Sequence, residues 1–318
     1  MSKTLAGFFT GTGGVELGFS KAGVETVYAN EWDKFAGKTY AANHGDEGFV
    51  LGDINELDIP SMPKFDILTG GFPCQAFSIA GYRKGFQDEK GRGNLFFRLA
   101  EIIEEKQPSI VFLENVKNLT THDEGKTFKV ILETLNSLGY STKYKILNAK
   151  DYGNIPQGRE RIYIVGFKDA SAAEKFDFPK PVKLSTKLTD LVDFKTKLDE
   201  KYYYTKEKYP YMFPIMDSID TEGVIYQWRR KYVRANKSGV CPTLTANMGT
   251  GGHNVPLIKT THGIRKLTPR ECFNLQGFPK NYKFPEGMSD AQLYKQAGNA
   301  VCVPVIKRIA EQIIKASN

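Results

Sequence analysis

Short apolar runs that stop at glycine recur through the first half of the chain, alternating with stretches of helical period. Leu5-Ala6-Gly7-Phe8-Phe9 predicts a strand, Thr10-Gly11-Thr12-Gly13-Gly14 a tight turn, and residues 15–22 a helix closed by Gly23. Thr26-Val27-Tyr28-Ala29-Asn30 predicts a second strand ending at Glu31-Trp32, followed by a helix over residues 34–43. Phe65-Asp66-Ile67-Leu68-Thr69 reads as a buried strand that breaks at Gly70-Gly71-Phe72-Pro73-Cys74-Gln75. There Pro73 fixes φ and biases Phe72 toward an extended backbone. Asn94 caps a helix in which Leu95, Phe96, Leu99, Ile102 and Ile103 share a face. Residues 110–113 form another apolar run, ending in Glu114-Asn115-Val116, and Phe128, Ile131, Leu132, Leu135 and Leu138 mark a further amphipathic helix. Residues 141–147 and 161–167 read as strands and residues 304–315 as a last helix. Strands alternating with helices of this length predict an α/β fold with a mostly parallel sheet. Residues 77–93 are glycine-rich, charged and without period, which suits a lid loop.

Composition narrows the class. A chain of 318 residues is long enough for one large core and a smaller lobe, and its 41% hydrophobic and 25% charged residues exclude wholesale disorder. Proline enters at residues 175–181 and the alternation breaks, marking a lobe boundary. No apolar run approaches the roughly 20 residues of a membrane span, and the amino terminus has no signal-peptide pattern. A cytoplasmic, membrane-free protein is expected. Cys74, Cys241, Cys272 and Cys302 lack any C-x-x-C spacing, so neither a metal site nor a disulfide framework is expected. Net charge is +8, and its distribution matters more than its size. From Gly223 to Arg270 there is no Asp or Glu, against Arg229, Arg230, Lys231, Arg234, Lys237, Lys259, Arg265, Lys266 and Arg270. That is either a solvated face or the footprint of a phosphate-backbone partner.

The candidate chemistry sits at strand ends. A strand, a glycine turn, a helix, a second strand and Glu31 twenty positions beyond Gly11 form the layout of a nucleoside-cofactor half-site. The full G-x-G-x-x-G pattern is absent, and so is the G-K-[ST] of a triphosphate loop. Cys74 follows a strand where open α/β sheets bind ligands; alone, it reads more readily as a small buried hydrophobe, the usual fate of a free cysteine. Glu114 ends a parallel neighbour and faces the same edge, as a catalytic acid or a cap. Arg159 and Arg161, two apart on an extended segment, point the same way and suit a carboxylate, phosphate or pyrimidine carbonyl. Tyr226-Gln227-Trp228-Arg229-Arg230 and Thr243-Leu244-Thr245-Ala246-Asn247 hold residue types that read base edges.

Taken in order, these blocks resemble the DNA cytosine-C5 methyltransferases over nearly the whole chain, in particular the short bacterial modification enzymes. The likeness is carried by Phe9-Thr10-Gly11-Thr12-Gly13-Gly14, Glu31-Trp32, Asp53-Ile54, Phe72-Pro73-Cys74-Gln75, Glu114-Asn115-Val116 and Gln157-Gly158-Arg159-Glu160-Arg161. It continues through Arg265-Lys266-Leu267-Thr268-Pro269-Arg270-Glu271 and Gly298-Asn299-Ala300-Val301. Gly7 departs from it, since many relatives carry a polar residue before the Phe-Phe pair.

The resemblance implies a Rossmann-like S-adenosylmethionine-dependent methyltransferase domain with a smaller, irregular DNA-recognition domain. Its expected limits are residues 1–185 for catalysis and cofactor, 186–265 for target recognition, 266–293 for a hinge and 294–318 for the return. It also implies Cys74 as nucleophile toward cytosine C6, Glu114 at N3 and the exocyclic amine, Arg161 at O2 and Arg159 ordering the site. Glu31 would take the ribose hydroxyls of S-adenosylmethionine, Phe9 and Trp32 its adenine, and Asp53 its amino group. Thr10, Gly11, Gly13, Gly14, Ile54, Gly71, Pro73, Leu95, Asn299 and Val301 would complete that site, with S-adenosylhomocysteine as product and no metal. Arg229, Arg230, Thr243 and Leu244 would read double-stranded DNA. A monomer, with a restriction endonuclease encoded nearby, fits the family's habit. An RNA cytosine methyltransferase is a competing expectation, but relatives acting on transfer RNA carry Cys-Phe-Thr where this chain has Cys272-Phe273-Asn274. A dinucleotide-dependent oxidoreductase leaves Cys74 and Glu114 unexplained, and a DNA-binding module without catalysis leaves the intact blocks unexplained.

Overall fold

The central strands are buried on both faces, as unbroken apolar runs in a parallel sheet require. In the computed structural model, which describes residues 2–73, 95–229, 231–250 and 255–318, strands β1 (Thr4–Phe8), β2 (Glu25–Glu31), β3 (Phe49–Leu51), β4 (Ile67–Gly70) and β5 (Ile110–Val116) run parallel. β6 (Ser141–Asn148) and β8 (Glu160–Phe167) complete the sheet in the order β3-β2-β1-β4-β5-β8-β6, with β8 antiparallel to β5. Helices α1 (Gly14–Ser20), α2 (Lys34–His44), α3 (Leu95–Lys106) and α4 (Lys126–Ser137) alternate with the strands. α3 buries Phe96, Phe97, Leu99, Ile102 and Ile103, and α4 buries Phe128, Ile131 and Leu135, in one core with Ala6, Phe8, Leu68 and Val111. Asp66 sets the pairing of β1 and β4: its Oδ2 accepts from Thr4 N at 2.8 Å while its own N donates to Thr4 Oγ1 at 3.1 Å. Between β1 and β4 the strand order reverses, which opens a crevice at their carboxyl ends.

The chain divides into two compact units. The first is Met1–Leu147, Glu160–Lys180 and Ile306–Asn318; the second is Asn148–Arg159 and Pro181–Val305. Cys74, Gln75, residues 77–93, Asn94 and Arg230 lie outside the described residues.

The second unit has its own five-stranded sheet, in the order β11-β10-β13-β14-β9. Its strands are β9 (Tyr203–Tyr204), β10 (Ile225–Arg229), β11 (Tyr232–Asn236), β13 (Leu257–Thr260) and β14 (Gly263–Lys266), while β7 (Gln157–Gly158) pairs with β12 (Cys241–Pro242). Arg265 is fully buried and grips Glu271 bidentately, Nη1 to Oε2 at 2.8 Å and Nη2 to Oε1 at 2.7 Å. Glu271 also accepts from Thr268 N at 2.7 Å, closing a capping box on α5 (Pro269–Asn274). The chain then forms α6 (Asp290–Asn299) and α7 (Val303–Ala316). Gly298 is a packing requirement: a Cβ there would lie 2.1 Å from Thr245 C, so only glycine admits that backbone.

Candidate active site

β1 hands the chain to a turn with left-handed backbone at alternate residues, φ being +57° at Phe9, +56° at Gly11 and +82° at Gly13. Glycine adopts this freely and Phe9 does so under strain, held by packing against the core. Thr10 N donates to Asn30 O at 3.2 Å, and Gly11 N donates to Glu31 Oε2 at 2.7 Å. The other oxygen of Glu31 accepts from Trp32 N at 3.0 Å and Asp33 N at 2.8 Å. Burial pushes the Glu31 pKa up and the Asp33 charge adds to this, while the backbone donors act against both. Trp32 is 74% exposed, so its ring is no part of the core and is open to stacking. Asp53, also exposed, caps the turn Ile54–Glu56 by accepting from Asn55 N at 2.9 Å, while Ile54 is buried. A Cβ built on Gly11 would meet nothing within 4 Å, so the turn is open on that side.

Gly7 makes room for a group that sequence reading passed over. A Cβ there would lie 2.1 Å from Glu16 Oε1 and 3.0 Å from Thr10 Cγ2. The Glu16 carboxyl therefore fills the place of the missing side chain, and β1 keeps its full length. Glu16 is 1% exposed, and neither of its oxygens, nor Thr10 Oγ1, hydrogen-bonds to another described residue. Burial drives its pKa from 4.5 to about 8, its own backbone N–H acting the other way and the Glu31 charge adding to the rise. The protonated form therefore predominates at pH 7. A glutamate in the first turn of a helix reads from sequence as a solvated partner of the helix dipole; only the adjacent Gly7 hinted otherwise.

β4 and β5 end beside this turn. Gly71 N donates to Phe8 O at 3.4 Å, and buried Phe72 packs on Phe96 with ring centroids 5.5 Å apart. Asn115 Nδ2 donates to Phe72 O at 2.8 Å, tying the end of β5 to the turn that leads through exposed Pro73 toward Cys74. Glu114 Oε1 is 3.1 Å from Arg161 Nε, their side chains 12% and 14% exposed. The register Glu114↔Tyr163 and Val116↔Arg161 makes them diagonal neighbours on one face of the sheet. Glu114 Oε2 lies 3.7 Å from where Gly71 would carry a Cβ, so the carboxylate stands beside the segment that follows β4. Leu95, half-buried, packs on the same core.

Arg159 and Arg161 do not lie on one continuous strand. The i, i+2 rule holds within a continuous strand, and here β7 ends at Gly158 before β8 begins at Glu160. Arg159 belongs to the second unit, is buried, and donates to the carbonyls of Leu244 (2.8 Å), Gly298 (3.1 Å) and Ala300 (2.6 Å). Thr243, half-buried, donates from Oγ1 to Gly158 O, and the Leu244 side chain is buried, so both contribute to packing within the second unit. Asn299 is exposed at the end of α6 and Val301 is buried, both within the second unit. Phe9, Thr10, Gly11, Gly13, Gly14, Glu31, Trp32, Asp53, Ile54, Gly71, Pro73, Leu95, Glu114 and Arg161 share the first.

The family of C-5 cytosine-specific DNA methylases matches residues 4–315. The chain is 56% identical to the Type II methyltransferase M.Bsp6I of Bacillus sp. (strain RFL6), over 98% of each protein. It is 41% identical to the Type II methyltransferase M.HhaI of Haemophilus parahaemolyticus, over 98% of this chain and 94% of that one. Among solved structures, a DNMT2 variant from Spodoptera frugiperda superposes with a TM-score of 0.76 at 18% identity, covering 98% of this chain and all of that one. A putative DNA modification methyltransferase from an E. coli prophage gives 0.69 at 22% identity, with full coverage of both. At those identities the two structures establish the fold alone. Sequence kinship over the full length carries the rest: the chain belongs to the C-5 cytosine-specific DNA methylase family and is a DNA cytosine-C5 methyltransferase.

Proposed function

We propose that this enzyme works as a monomer on duplex DNA, flips one cytosine out of the stack and methylates it through a covalent bond from Cys74 to C6. The observation that carries this reading is the Glu114–Arg161 pair at 3.1 Å, beside the segment that follows β4 and precedes Cys74 in sequence. A base inside a duplex is out of reach of any thiol, so extrusion precedes chemistry. The Cys74 thiolate gives its electron pair to C6, which breaks the ring's aromaticity and makes C5 nucleophilic. Glu114 holds N3 and the exocyclic amine, favouring that electron shift, while Arg161 fixes Glu114 and meets O2. Once C5 carries the methyl group, its remaining proton passes to solvent water, and the electron pair of that C–H bond re-forms the C5–C6 double bond and expels the Cys74 sulfur.

S-adenosylmethionine supplies the methyl group, and the residues of the first unit fit it. Glu31 is held rigidly by backbone donors, Trp32 offers an exposed ring, Asp53 an exposed carboxylate, and the turn is open at Gly11. Phe9, Thr10, Gly13, Gly14, Ile54, Gly71, Pro73 and Leu95 shape the same pocket, and Asn299 and Val301 are assigned to it by family likeness. No metal enters this chemistry. Residues 1–185 with 294–318 form the catalytic domain, 186–265 the target-recognition domain and 266–293 the hinge; Arg159 orders the catalytic centre, and Arg229 and Arg230 meet DNA. The full-length likeness to Type II methyltransferases supports a cytoplasmic modification enzyme paired with a restriction endonuclease. Among the described residues no helix is long and apolar enough to cross a membrane.

The test is Cys74→Ser, with methyl transfer and DNA binding followed together. Transfer is abolished and binding retained; an active variant removes Cys74 from the mechanism. Wild-type enzyme with duplex containing 5-fluorocytosine gives a cofactor-dependent band on denaturing gels, since fluorine does not leave as a proton does.

A further inference from the structure

Strands β10 and β11 outgrow the sheet they belong to. They pair along their whole length, from Ile225↔Asn236 to Arg229↔Tyr232, yet β10 pairs on its other side with β13 only at Ile225 and Tyr226. Beyond that point, among the described residues, β10 has β11 alone as a strand neighbour, and β11 lies at the sheet edge. The two faces of this pair differ. Tyr226, Trp228, Val233 and Ala235 pack on the small core of Met212, Met216, Ile219 and Leu257. Gln227, Arg229, Tyr232 and Arg234 alternate with them and take the opposite face, where Arg229, Tyr232 and Arg234 are exposed. An edge ribbon with an exposed aromatic and two exposed arginines has its inner face fully employed, so the outer face is not a by-product of core packing.

The ligand chemistry follows from the side chains. No Asp or Glu occurs between Gly223 and Arg270, and neither Arg229 nor Arg234 has a carboxylate partner among the described residues. Arg229 Nη2 instead lies 3.4 Å from Gln227 Oε1, which holds the guanidinium beside an amide without neutralising it. Arg229 sits opposite Tyr232 and Arg234 opposite Gln227, so the arginines are diagonal neighbours, about 7–8 Å apart at the backbone. That is on the order of two base-pair rises. A two-stranded ribbon is one of the elements that the major groove admits, and a guanidinium pairs bidentately with O6 and N7 of guanine.

We propose that the outer face of this ribbon enters the major groove and that Arg229 and Arg234 each read a guanine of the recognised sequence, with Gln227 aligning Arg229. This rests on the reading of the chain as a duplex-DNA methyltransferase. The alternative is that both arginines only grip phosphates.

The experiment uses the full-length enzyme, S-adenosylmethionine and a duplex library randomised around cytosine, with bisulfite sequencing of the products. Wild type, Arg229→Ala, Arg234→Ala and the charge-keeping Arg229→Lys are compared, and binding is measured across a salt series. Each alanine variant is expected to relax preference at one guanine position, by roughly 5- to 150-fold. Arg229→Lys is expected to relax the same position as Arg229→Ala while keeping the wild-type salt slope. An unchanged site profile with weaker binding to every sequence, and a salt slope lowered by about one per arginine, is the phosphate result and overturns the proposal. An unchanged profile with unchanged binding overturns it as well. A wild-type enzyme that methylates no duplex would instead defeat the broader reading, so the two failures are distinguishable.

Discussion

Replacing Glu16 with Gln isolates the carboxyl that fills the place of a side chain at Gly7. In the folded protein this group keeps its proton up to about pH 8, against 4.5 for an ordinary glutamate. Between those values the unfolded chain binds fewer protons than the folded one, so stability falls as pH rises, and levels off above about 8. Each tenfold change in proton affinity is about 1.4 kcal/mol. The penalty carried by Glu16 is therefore about 1 kcal/mol at pH 5 and about 5 kcal/mol at pH 8.5. Glutamine has nearly the same shape and ionises in neither state. Its own cost in the pocket is the same at every pH, so the variant's gain over wild type grows by roughly 4 kcal/mol across that range. Against a typical total of about 5–15 kcal/mol this is easily read. Of the nearby groups, Glu31 is present in both proteins, and His44, against the turn at Gly13, is lowered to about 4 by burial and stays neutral in both folded proteins across this range. Urea unfolding at intervals from pH 5 to 8.5 measures the difference. A difference between variant and wild type that stays flat with pH would mean the carboxylate is tolerated in its charged form, and the argument from burial would fail.

Trp32→Ala should weaken S-adenosylmethionine binding by roughly 2- to 12-fold, the worth of one aromatic contact, and leave the unfolding midpoint unchanged because the ring is exposed. Equal affinities by calorimetry would remove Trp32 from the cofactor site. Arg265→Met should destabilise by about 3–5 kcal/mol, since it strands the buried Glu271 carboxylate. Adding Glu271→Gln should restore part of that loss in denaturant unfolding, and a purely additive double variant would show that the two side chains are not coupled.

What was legible in the sequence was what repeats locally. Residues 110–113 could only be a buried strand, and the helix over 95–106 announced itself through Phe96, Leu99, Ile102 and Ile103 on one face. Glu31 was found by its distance from Gly11, and the structure adds the reason it is fixed: three backbone N–H groups converge on one carboxylate. What escaped depends on contacts between distant segments. Nothing near Arg159 reveals that its guanidinium ends on the carbonyls of Leu244, Gly298 and Ala300, and its spacing from Arg161 suggested a shared strand face, which the break at Arg159 interrupts. Leu244 looked like part of a reading loop because its neighbours are polar, whereas its own side chain is buried. Gly7 and Glu16 are the sharpest case, two residues on different elements that make sense only as one filled volume.

The interleaving of the two units sets an order of events on the ribosome. The first unit takes in Ile306–Asn318, and Gly18 of α1 is closed by Ile306, whose Cγ2 lies 2.5 Å from where a Cβ would project. At a synthesis rate of about 5–20 residues per second, α1 waits roughly 15–60 s for that helix to emerge. The seven-stranded sheet and its helices are thus the first part made and the last part finished, while all of the second unit is synthesised in the interval. A nascent chain cannot close the core of its first unit until the whole of the second has been synthesised, so newly made protein completes both units at nearly the same moment.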